Sequence, residues 1–304
     1  TYIHGSSKIN PNTIIGHEVT GTIVEVGRSV AGFYEGDRVH ITPAIGCGYC
    51  YPCKSGHPNM CDNLETIGFQ YNGGFAEYME IPAKAFSAGN VNKLSNLIED
   101  VEAAVAEPIA CVLNAQEFLN IKKGDYVAVF GAGFIGCMHA ELAFNSGAEK
   151  VIMIEVSQNR IEEARRLVNR IDIINSSAVD VFEEVKRITD GRGVDVAITA
   201  CSVGQAQEDA IRMAAKRGRI SLFGGIPGNN AKGFLDSNEI HYKELSVFGV
   251  HASTPEQNRT ILNAITNGSL KVKKYITKIY DLENIVEAFE DLKNQKVLKA
   301  IVKP

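Results

Sequence analysis

The sequence predicts an α/β protein that contains a doubly wound, six-stranded parallel sheet. From about residue 109 onward, apolar strand-like runs alternate with helical patterns, as parallel strands joined by crossover helices do. Before residue 108, short β-branched runs separated by glycine-rich turns are typical of a half-buried sheet or barrel. The chain has 304 residues. Single hydrophobic cores stop growing near about 250–300 residues, so two domains are expected.

The first part of the chain contains short predicted strands. They cover residues 20–26, 38–42 and 75–81, where β-branched residues and alternation occur. A cysteine-rich stretch lies between the second and third of these runs and has almost no periodicity of its own. A cysteine-rich stretch without helical or strand periodicity favours a lobe whose structure depends on a bound metal.

The second part carries the pattern of the parallel sheet. Six strands are predicted, at residues 125–130, 151–155, 171–175, 194–200, 219–223 and 245–250. Helical patterns lie between most of them, for example at residues 160–169 and 205–216. After residue 250 we expect two helices and a final strand, at residues 255–267, 283–294 and 297–302.

Composition and charge exclude several classes of protein. A hydrophobic content of 45% and a charged content of 22% are ordinary for a globular protein. A net charge of −5 provides no basic face for nucleic acid. No apolar stretch approaches the ~18 residues of a membrane span, so no membrane partner is expected. The chain begins at Thr1 in mid-pattern, so we expect its natural N-terminus to lie upstream.

The seven cysteines are unevenly distributed. Four crowd into residues 47–61, whereas Cys111, Cys137 and Cys201 stand alone in apolar surroundings and are expected to be small buried hydrophobes. Disulfide scaffolds are shorter chains, so the cluster points to metal. A reducing, cytoplasmic setting follows.

A glycine-rich turn follows the predicted strand at 125–130. It reads Gly131-Ala132-Gly133-Phe134-Ile135-Gly136, and a helical pattern begins at once. Gly131 permits the tight turn, Gly133 lets the backbone approach a pyrophosphate, and Gly136 lets the helix pack closely on the strand. The helix N-terminus offers free N–H groups and a positive dipole end to the phosphates. The pattern predicts a Rossmann dinucleotide site; a purely structural turn is the alternative.

The choice of cofactor rests on Glu155. It follows Gly136 by 19 residues at the end of the second predicted strand, where a carboxylate accepts hydrogen bonds from the adenosine ribose hydroxyls. The same carboxylate would repel a 2′-phosphate, which predicts NAD rather than NADP. Arg160, five residues on, leaves NADP as the alternative.

The clustered cysteines have the spacing of a closed metal site. Cys47, Cys50, Cys53 and Cys61 supply four thiolates, enough for a tetrahedral Zn²⁺ without an open position. A CxxCxxC run can also ligate an iron–sulfur cluster, but the seven-residue gap before Cys61 does not fit the ferredoxin spacings. A structural zinc is therefore predicted.

A second candidate metal site begins at Gly16-His17-Glu18, which opens the pattern GHE-x2-G-x5-G-x2-V. His17 and Glu18 offer a nitrogen and an oxygen to a cation, although a solvated pair is the default for two such residues alone. This stretch is followed by the cysteine lobe, residues 73–78 (GGFAEY), Glu107-Pro108 and the glycine-rich turn. In this order they resemble the zinc-containing medium-chain dehydrogenase/reductase family. Glu107-Pro108 resembles the branch with sorbitol and threonine dehydrogenases.

The resemblance implies a domain organisation and a catalytic zinc site. Residues 1–108 and 251–304 would form a GroES-like β-barrel catalytic domain, and residues 109–250 the NAD-binding Rossmann domain. His17 resembles the histidine ligand of the catalytic zinc. Glu18 resembles the neighbouring carboxylate, which either ligates the metal or orients its shell, and Glu107 resembles the exchangeable ligand or the anchor for zinc-bound water. The family's first ligand is a cysteine that would lie upstream of Thr1. With the structural ion, two Zn²⁺ per chain are expected.

The resemblance also implies an activity. An open zinc site lowers the pKa of a substrate hydroxyl and hydride passes to the nicotinamide, so the site is expected in a cleft between the domains. The ring end of the cofactor would be met by residues after the fifth and sixth strands: Phe223, Gly224, Gly225, Val250 and His251. Sorbitol dehydrogenases carry Phe-Arg where this chain has Val250-His251, which argues against sorbitol itself.

These expectations describe an NAD-dependent dehydrogenase of a secondary alcohol, on a polyol or sugar-like substrate. Threonine or butanediol dehydrogenase of the same branch is one alternative. A non-catalytic scaffold that binds NAD and zinc is the other, and the presence of His17, Glu18 and Glu107 argues against it. The resemblance further implies a homodimer or homotetramer.

Overall fold

The computed structural model describes residues 9–226, 233 and 235–304. These residues divide into two compact units. One holds residues 112–250, and the other holds residues 9–111 and 251–304. Within the described part of the chain, no helix has the length and apolar character needed to cross a membrane.

The discontinuous unit begins with short elements. They are β1 (Val19–Thr22), β2 (Arg38–Ile41), β3 (Ala44–Ile45), α1 (Tyr51–Lys54), β4 (Glu65–Thr66), α2 (Ala83–Ser87), β5 (Val91–Lys93) and α3 (Asp100–Ala104). Strands β1, β2 and β5 form an antiparallel sheet in that order, and β3 pairs with β4. A small apolar core under this sheet includes Val39, Ile41, Ile45 and Ile67.

Helix α4 (Ala106–Leu119) leads into the continuous unit. There strands and helices alternate: β6 (Tyr126–Phe130), α5 (Phe134–Asn145), β7 (Lys150–Glu155), α6 (Gln158–Leu167), β8 (Ile171–Asn175), α7 (Val181–Ile188), β9 (Val194–Thr199), α8 (Gly204–Met213), β10 (Ala214–Leu222), α9 (Ser237–Tyr242) and β11 (Ser246–Gly249). The six strands are all parallel, in the order β11-β10-β9-β6-β7-β8. The predicted doubly wound sheet is confirmed.

The strand order places a topological switch point between β6 and β9. From this pair the chain winds in one direction through β7 and β8 and in the other through β10 and β11. Central strands such as β6 and β9 are buried almost throughout, as apolar runs covered on both faces should be. Ligands of such sheets bind outside the carboxyl ends of the strands at this point.

The chain then returns to the discontinuous unit. It forms α10 (Pro255–Thr266), β12 (Lys278–Asp281), α11 (Ile285–Lys293) and β13 (Ala300–Lys303), and β12 pairs in parallel with β13. Helix α10 opens with a capping box in which Thr254 Oγ1 accepts the N–H of Gln257 (3.2 Å) and Gln257 Oε1 accepts the N–H of Thr254 (2.8 Å). Short 3₁₀ turns occupy Pro58–Met60, Lys273–Tyr275 and Leu282–Asn284.

One predicted strand is wrong and several bounds shift. Residues 75–81 form no strand, because no strand in the described part of the chain pairs with them, and Met79 and Ile81 only pack on the apolar core. Strand β10 starts five residues earlier than expected, directly where α8 ends. Of the three lone cysteines, only Cys137 is fully buried; Cys111 and Cys201 are partly exposed.

Candidate functional site

The four clustered cysteines converge on one point. Helix α1 carries Cys53 and begins directly after Cys50, while Cys61 follows the 3₁₀ turn Pro58–Met60. The four sulfur atoms all lie within 4.8 Å of one another, and Cys50 Sγ is 3.7 Å from Cys61 Sγ. All seven cysteines of the chain are free thiols.

The electrostatics of this cluster suit a divalent cation. Backbone N–H groups of Cys47 and Asn63 donate to Cys61 Sγ at 3.2 and 3.3 Å. Desolvation raises the pKa of Cys53 and Cys61, whereas at Cys47 desolvation is outweighed by hydrogen bonds from the backbone and from the other thiols, which lower the pKa to about 6. The four thiols therefore do not ionise alike, and four adjacent thiolates would be costly without a compensating ion. Zn²⁺ takes four thiolates in a closed tetrahedron, which leaves no position for a substrate. The donor set therefore fits a structural zinc.

A second group of potential ligands brings together distant parts of the chain. Ligand atoms of His17, Glu18 and Glu107 all lie within 4.8 Å of one another. His17 and Glu18 lie in the segment before β1, and Glu107 is the second residue of α4. A nitrogen and two carboxylates in this arrangement can hold Zn²⁺ and leave a coordination position open.

Glycines hold the segment that carries His17. Gly73 and Gly74 donate their N–H groups to the carbonyl oxygens of Ile14 (2.7 Å) and Gly16 (3.0 Å). Gly16 has φ +105°, and a Cβ atom on Gly73 would lie 2.0 Å from the Gly16 oxygen. Side chains at these positions would push the two segments apart and displace His17. The two glycine motifs noted in the sequence are therefore the two sides of one contact.

Glu107 is the most buried member of this group, with 7% of its surface exposed. Burial raises the pKa of Glu107 and the nearby Glu18 adds to the effect, while His17, Cys111 and Lys299 oppose it. Bringing two carboxylates together inside a protein is unfavourable unless a cation compensates them. A Zn²⁺ held by His17, Glu18 and Glu107 would provide that compensation.

Two neighbours of this group were not singled out from the sequence. Lys299, just before β13, forms a half-buried ion pair with Glu18. Cys111 lies one helical turn after Glu107, and its sulfur is 3.5 Å from Glu107 Oε1. Burial raises the pKa of Cys111 well above its usual range, so the thiol keeps its proton. The i,i+4 spacing could have indicated Cys111; no local pattern indicates Lys299, 281 residues from Glu18.

The glycine-rich turn has the geometry that a dinucleotide needs. Gly131 has φ +103°, and a Cβ atom on Gly136 would lie 2.0 Å from the Gly131 oxygen. A Cβ on Gly133 would meet nothing within 4 Å, so this backbone is open to a close ligand. Helix α5 starts at Phe134, which is buried, and Ile135 is partly exposed beside it. Helix starts that follow such a turn are a common place for phosphate oxygens to bind.

Glu155, at the end of β7, is engaged with the backbone. Its Oε2 accepts the N–H of Ala132 in the glycine-rich turn (2.8 Å), and its Oε1 accepts the N–H groups of Val156 and Ser157 (2.8 and 2.9 Å). The side chain is thus fixed beside the turn. Arg160 Nη1 lies 2.8 Å from Glu163 Oε2 in an i,i+3 ion pair.

The remaining predicted cofactor contacts follow the last strands of the sheet. Phe223 comes directly after β10, and its ring stands edge-on to that of His139, with 4.8 Å between the centroids. A Cβ on Gly224 would lie 2.2 Å from the Cys201 oxygen, so the ends of β9 and β10 approach closely, whereas Gly225 is open. Val250 follows β11, and His251 uses its carbonyl to accept the side-chain N–H of Asn59 (2.9 Å).

Two family models match the chain. Residues 1–90 match the alcohol dehydrogenase GroES-like domain, and residues 135–267 match the zinc-binding dehydrogenase domain. L-threonine 3-dehydrogenase of Pyrococcus abyssi is 35% identical over 297 residues, covering 97% of this chain and 83% of that protein. Sorbitol dehydrogenase of Halalkalibacterium halodurans is 31% identical over 294 residues, covering 95% and 83%.

Solved structures agree with these relatives. A Sinorhizobium meliloti protein with bound NADP superposes with a TM-score of 0.89 at 29% identity, covering 99% of this chain and 86% of that one. An Escherichia coli alcohol dehydrogenase with NADH gives a TM-score of 0.85 at 28% identity, covering 95% and 82%.

The class of protein follows from the fold, the two metal-ligand groups and these likenesses: the chain is a zinc-binding oxidoreductase of the alcohol dehydrogenase type. Within that class it belongs to the zinc-containing medium-chain dehydrogenase family, in the branch with threonine and sorbitol dehydrogenases.

Proposed function

We propose that the protein oxidises a secondary hydroxyl of a polyol or sugar-like alcohol to a ketone, with NAD as the hydride acceptor. The observation that carries this proposal is the meeting of His17, Glu18 and Glu107 within 4.8 Å. These residues come from segments about 90 positions apart in the sequence. A non-catalytic protein would not need to bring them together. His17, Glu18 and Glu107 would hold the catalytic ion.

When bound, Zn²⁺ at these residues would supply Lewis acidity to the substrate hydroxyl, and NAD would supply the hydride acceptor. The chain itself must keep the metal site electrically balanced. Two carboxylates from Glu18 and Glu107 match the charge of a divalent cation. The ammonium group of Lys299 holds Glu18 from the side and relieves its repulsion with Glu107.

We also propose the assignment of the two units. Residues 1–108 and 251–304 would be the catalytic domain, and residues 109–250 the NAD-binding domain. In the second, the turn 131–136 would receive the pyrophosphate and Glu155 the adenosine ribose. The Glu155 carboxylate supports NAD because a 2′-phosphate next to it would be repelled. Its bonds to backbone N–H groups fix the carboxylate beside the turn.

Threonine oxidation is the second candidate, since the L-threonine 3-dehydrogenase relative is 35% identical over nearly the whole chain. Polyol oxidation and threonine oxidation would use the same metal site and would differ in the side chains that contact the substrate. In place of the Phe-Arg of sorbitol dehydrogenases this chain has Val250-His251, so a free polyol would lack one charged contact.

Substrate profiling with metal analysis tests these proposals. The purified protein would be assayed with a panel of polyols, with L-threonine and with 2,3-butanediol, each with NAD and with NADP. We expect reduction of NAD by a polyol or sugar-like alcohol, and loss of this activity when a chelator removes the catalytic zinc. A preference for L-threonine would favour the second candidate. Retention of activity in fully zinc-free protein would overturn the proposed chemistry.

A further inference from the structure

A run of buried polar side chains lies next to the contact between Cys111 and Glu107. It starts at His40 on β2 and continues through Asn258 on α10 to Ser253, which lies before that helix and next to Cys111. His40 and Asn258 have no exposed surface and Ser253 has 1%. Burying polar side chains costs free energy unless they form hydrogen bonds with one another.

The amide of Asn258 sets the direction of the hydrogen bonds. Its Nδ2 lies 2.9 Å from the carbonyl oxygen of Thr254, which can only accept, so this atom must be the nitrogen. The Oδ1 atom therefore faces His40 Nε2 at 3.0 Å, and the imidazole must donate there. Burial lowers the pKa of His40 to about 4, which keeps the ring neutral with this nitrogen protonated.

The hydrogen bonds continue from Asn258 to Ser253. Asn258 Nδ2 also donates to Ser253 Oγ at 3.0 Å, and the Ser253 side chain lies next to Cys111. The Cys111 thiol, 3.5 Å from Glu107 Oε1, can give its hydrogen to the carboxylate. The hydrogen bonds of the run thus point from His40 to Ser253, and an ionised Glu107 can only accept from Cys111.

We propose that Cys111 is a positioning residue, which holds one oxygen of Glu107 through a hydrogen bond from its thiol and so orients the carboxylate for the metal. The proposal rests on the proposed role of Glu107 as a ligand. Partners that orient metal ligands in this way contribute to metal affinity although they never touch the ion. Glu107 is only 7% exposed, so a rotated carboxylate would find few waters to replace the thiol.

The first test measures how tightly the catalytic zinc is held, by competition with a chelator. We expect Cys111→Ala to weaken zinc binding about 10-fold or more, the range for outer partners of metal ligands. Cys111→Ser keeps a hydrogen-bond donor and should restore most of the affinity. Cys137→Ala, which removes a buried thiol in the other unit, is the control and should leave zinc binding unchanged.

The second test reads the hydrogen bond directly, without activity. The S–H stretching band lies in an infrared window free of other protein bands, and the difference between wild type and Cys111→Ala isolates the band of Cys111. We expect a frequency lowered by hydrogen bonding. It should rise in Glu107→Gln, whose neutral amide is a weaker acceptor, and shift to a smaller extent in Ser253→Ala.

The outcomes separate the two proposals. A Cys111 band at the frequency of a free thiol, or unchanged zinc affinity in Cys111→Ala, would overturn the positioning role even if Glu107→Gln abolishes turnover. Absence of any Cys111 S–H band in the zinc-loaded protein would also overturn it, since Cys111 would then be a thiolate ligand. Unchanged turnover and zinc content in Glu107→Gln would instead remove the proposed function of Glu107 itself.

Discussion

The two metal-ligand groups of this chain are built in opposite ways. The cysteine group comes from residues 47–61, offers four identical sulfur atoms and has backbone N–H groups as its supporting partners. The group of His17, Glu18 and Glu107 comes from two distant segments, offers mixed nitrogen and oxygen atoms, and has Lys299 and Cys111 against its carboxylates.

This difference in ligands indicates a different role for each site. Four thiolates saturate Zn²⁺, so the cysteine group can contribute only to stability. The mixed group leaves room for a further ligand, and Lys299 and Cys111 lie against its carboxylates. Changes in the first should therefore appear as unfolding, and changes in the second as altered turnover with the fold intact.

The largest effect is expected for Cys50→Ser. Structural zinc sites bind with free energies on the order of 10 kcal/mol, and binding is coupled to folding. Losing one thiolate should remove one zinc per chain and lower the free energy of unfolding by several kcal/mol. Thermal unfolding and metal analysis would measure this, with Cys201→Ser as the control outside the cluster. Zinc retained at full stoichiometry in Cys50→Ser would show that the group does not hold the ion.

The next largest effect is expected for Glu107→Gln. The amide keeps the shape of the side chain but loses the negative charge that a buried cation requires. Turnover should fall at least ~100-fold, because loss of a metal ligand should cost more than the ~10- to 100-fold loss seen when a residue that only contacts a ligand is changed. Thermal stability and NAD binding should stay near wild type. Glu117→Gln makes the same change at an exposed position of the same helix and serves as the control. Equal activity in both variants would leave Glu107 with a structural role only.

A smaller effect is expected for Lys299→Met, which removes the charge beside Glu18 but keeps the length of the side chain. Because Lys299 acts through Glu18, kcat/KM should fall about 10-fold, and Lys299→Arg should recover most of it. Lys303→Met, at an exposed position in β13, is the matched control. Failure of the arginine variant to recover activity, at normal stability, would argue against a charge-based role.

Glu155 is a third case for this comparison, because its carboxylate accepts hydrogen bonds from backbone N–H groups instead of facing a metal site. Glu155→Ala should weaken NAD binding by about 1–3 kcal/mol, the range for a hydrogen bond to a charged group. Loosening of the turn would weaken NAD and NADP alike, so the ratio of their dissociation constants is the quantity to measure. It should move towards NADP, and Glu149→Ala, an exposed site before the same strand, should leave it unchanged.

The elements with strong local patterns were predicted well. Strands β6 to β9 lie within one or two residues of their expected bounds. Short apolar, β-branched runs bounded by turns are typical of buried strands, so their pattern predicts both the type of element and its ends. Residues 75–81 have alternation but lack a neighbouring strand, so their pattern only places Met79 and Ile81 on the core. Alternation reports which side chains are buried; the partner that makes a strand comes from elsewhere in the chain.

The sequence by itself determined the cysteine group and the glycine-rich turn, since their parts are close along the chain and local backbone geometry brings them together. Only the tertiary structure decided that Lys299 meets Glu18 across 281 positions and that Asn258 meets His40 across 218. Contacts over such separations depend on how whole elements pack, and no short-range pattern encodes them.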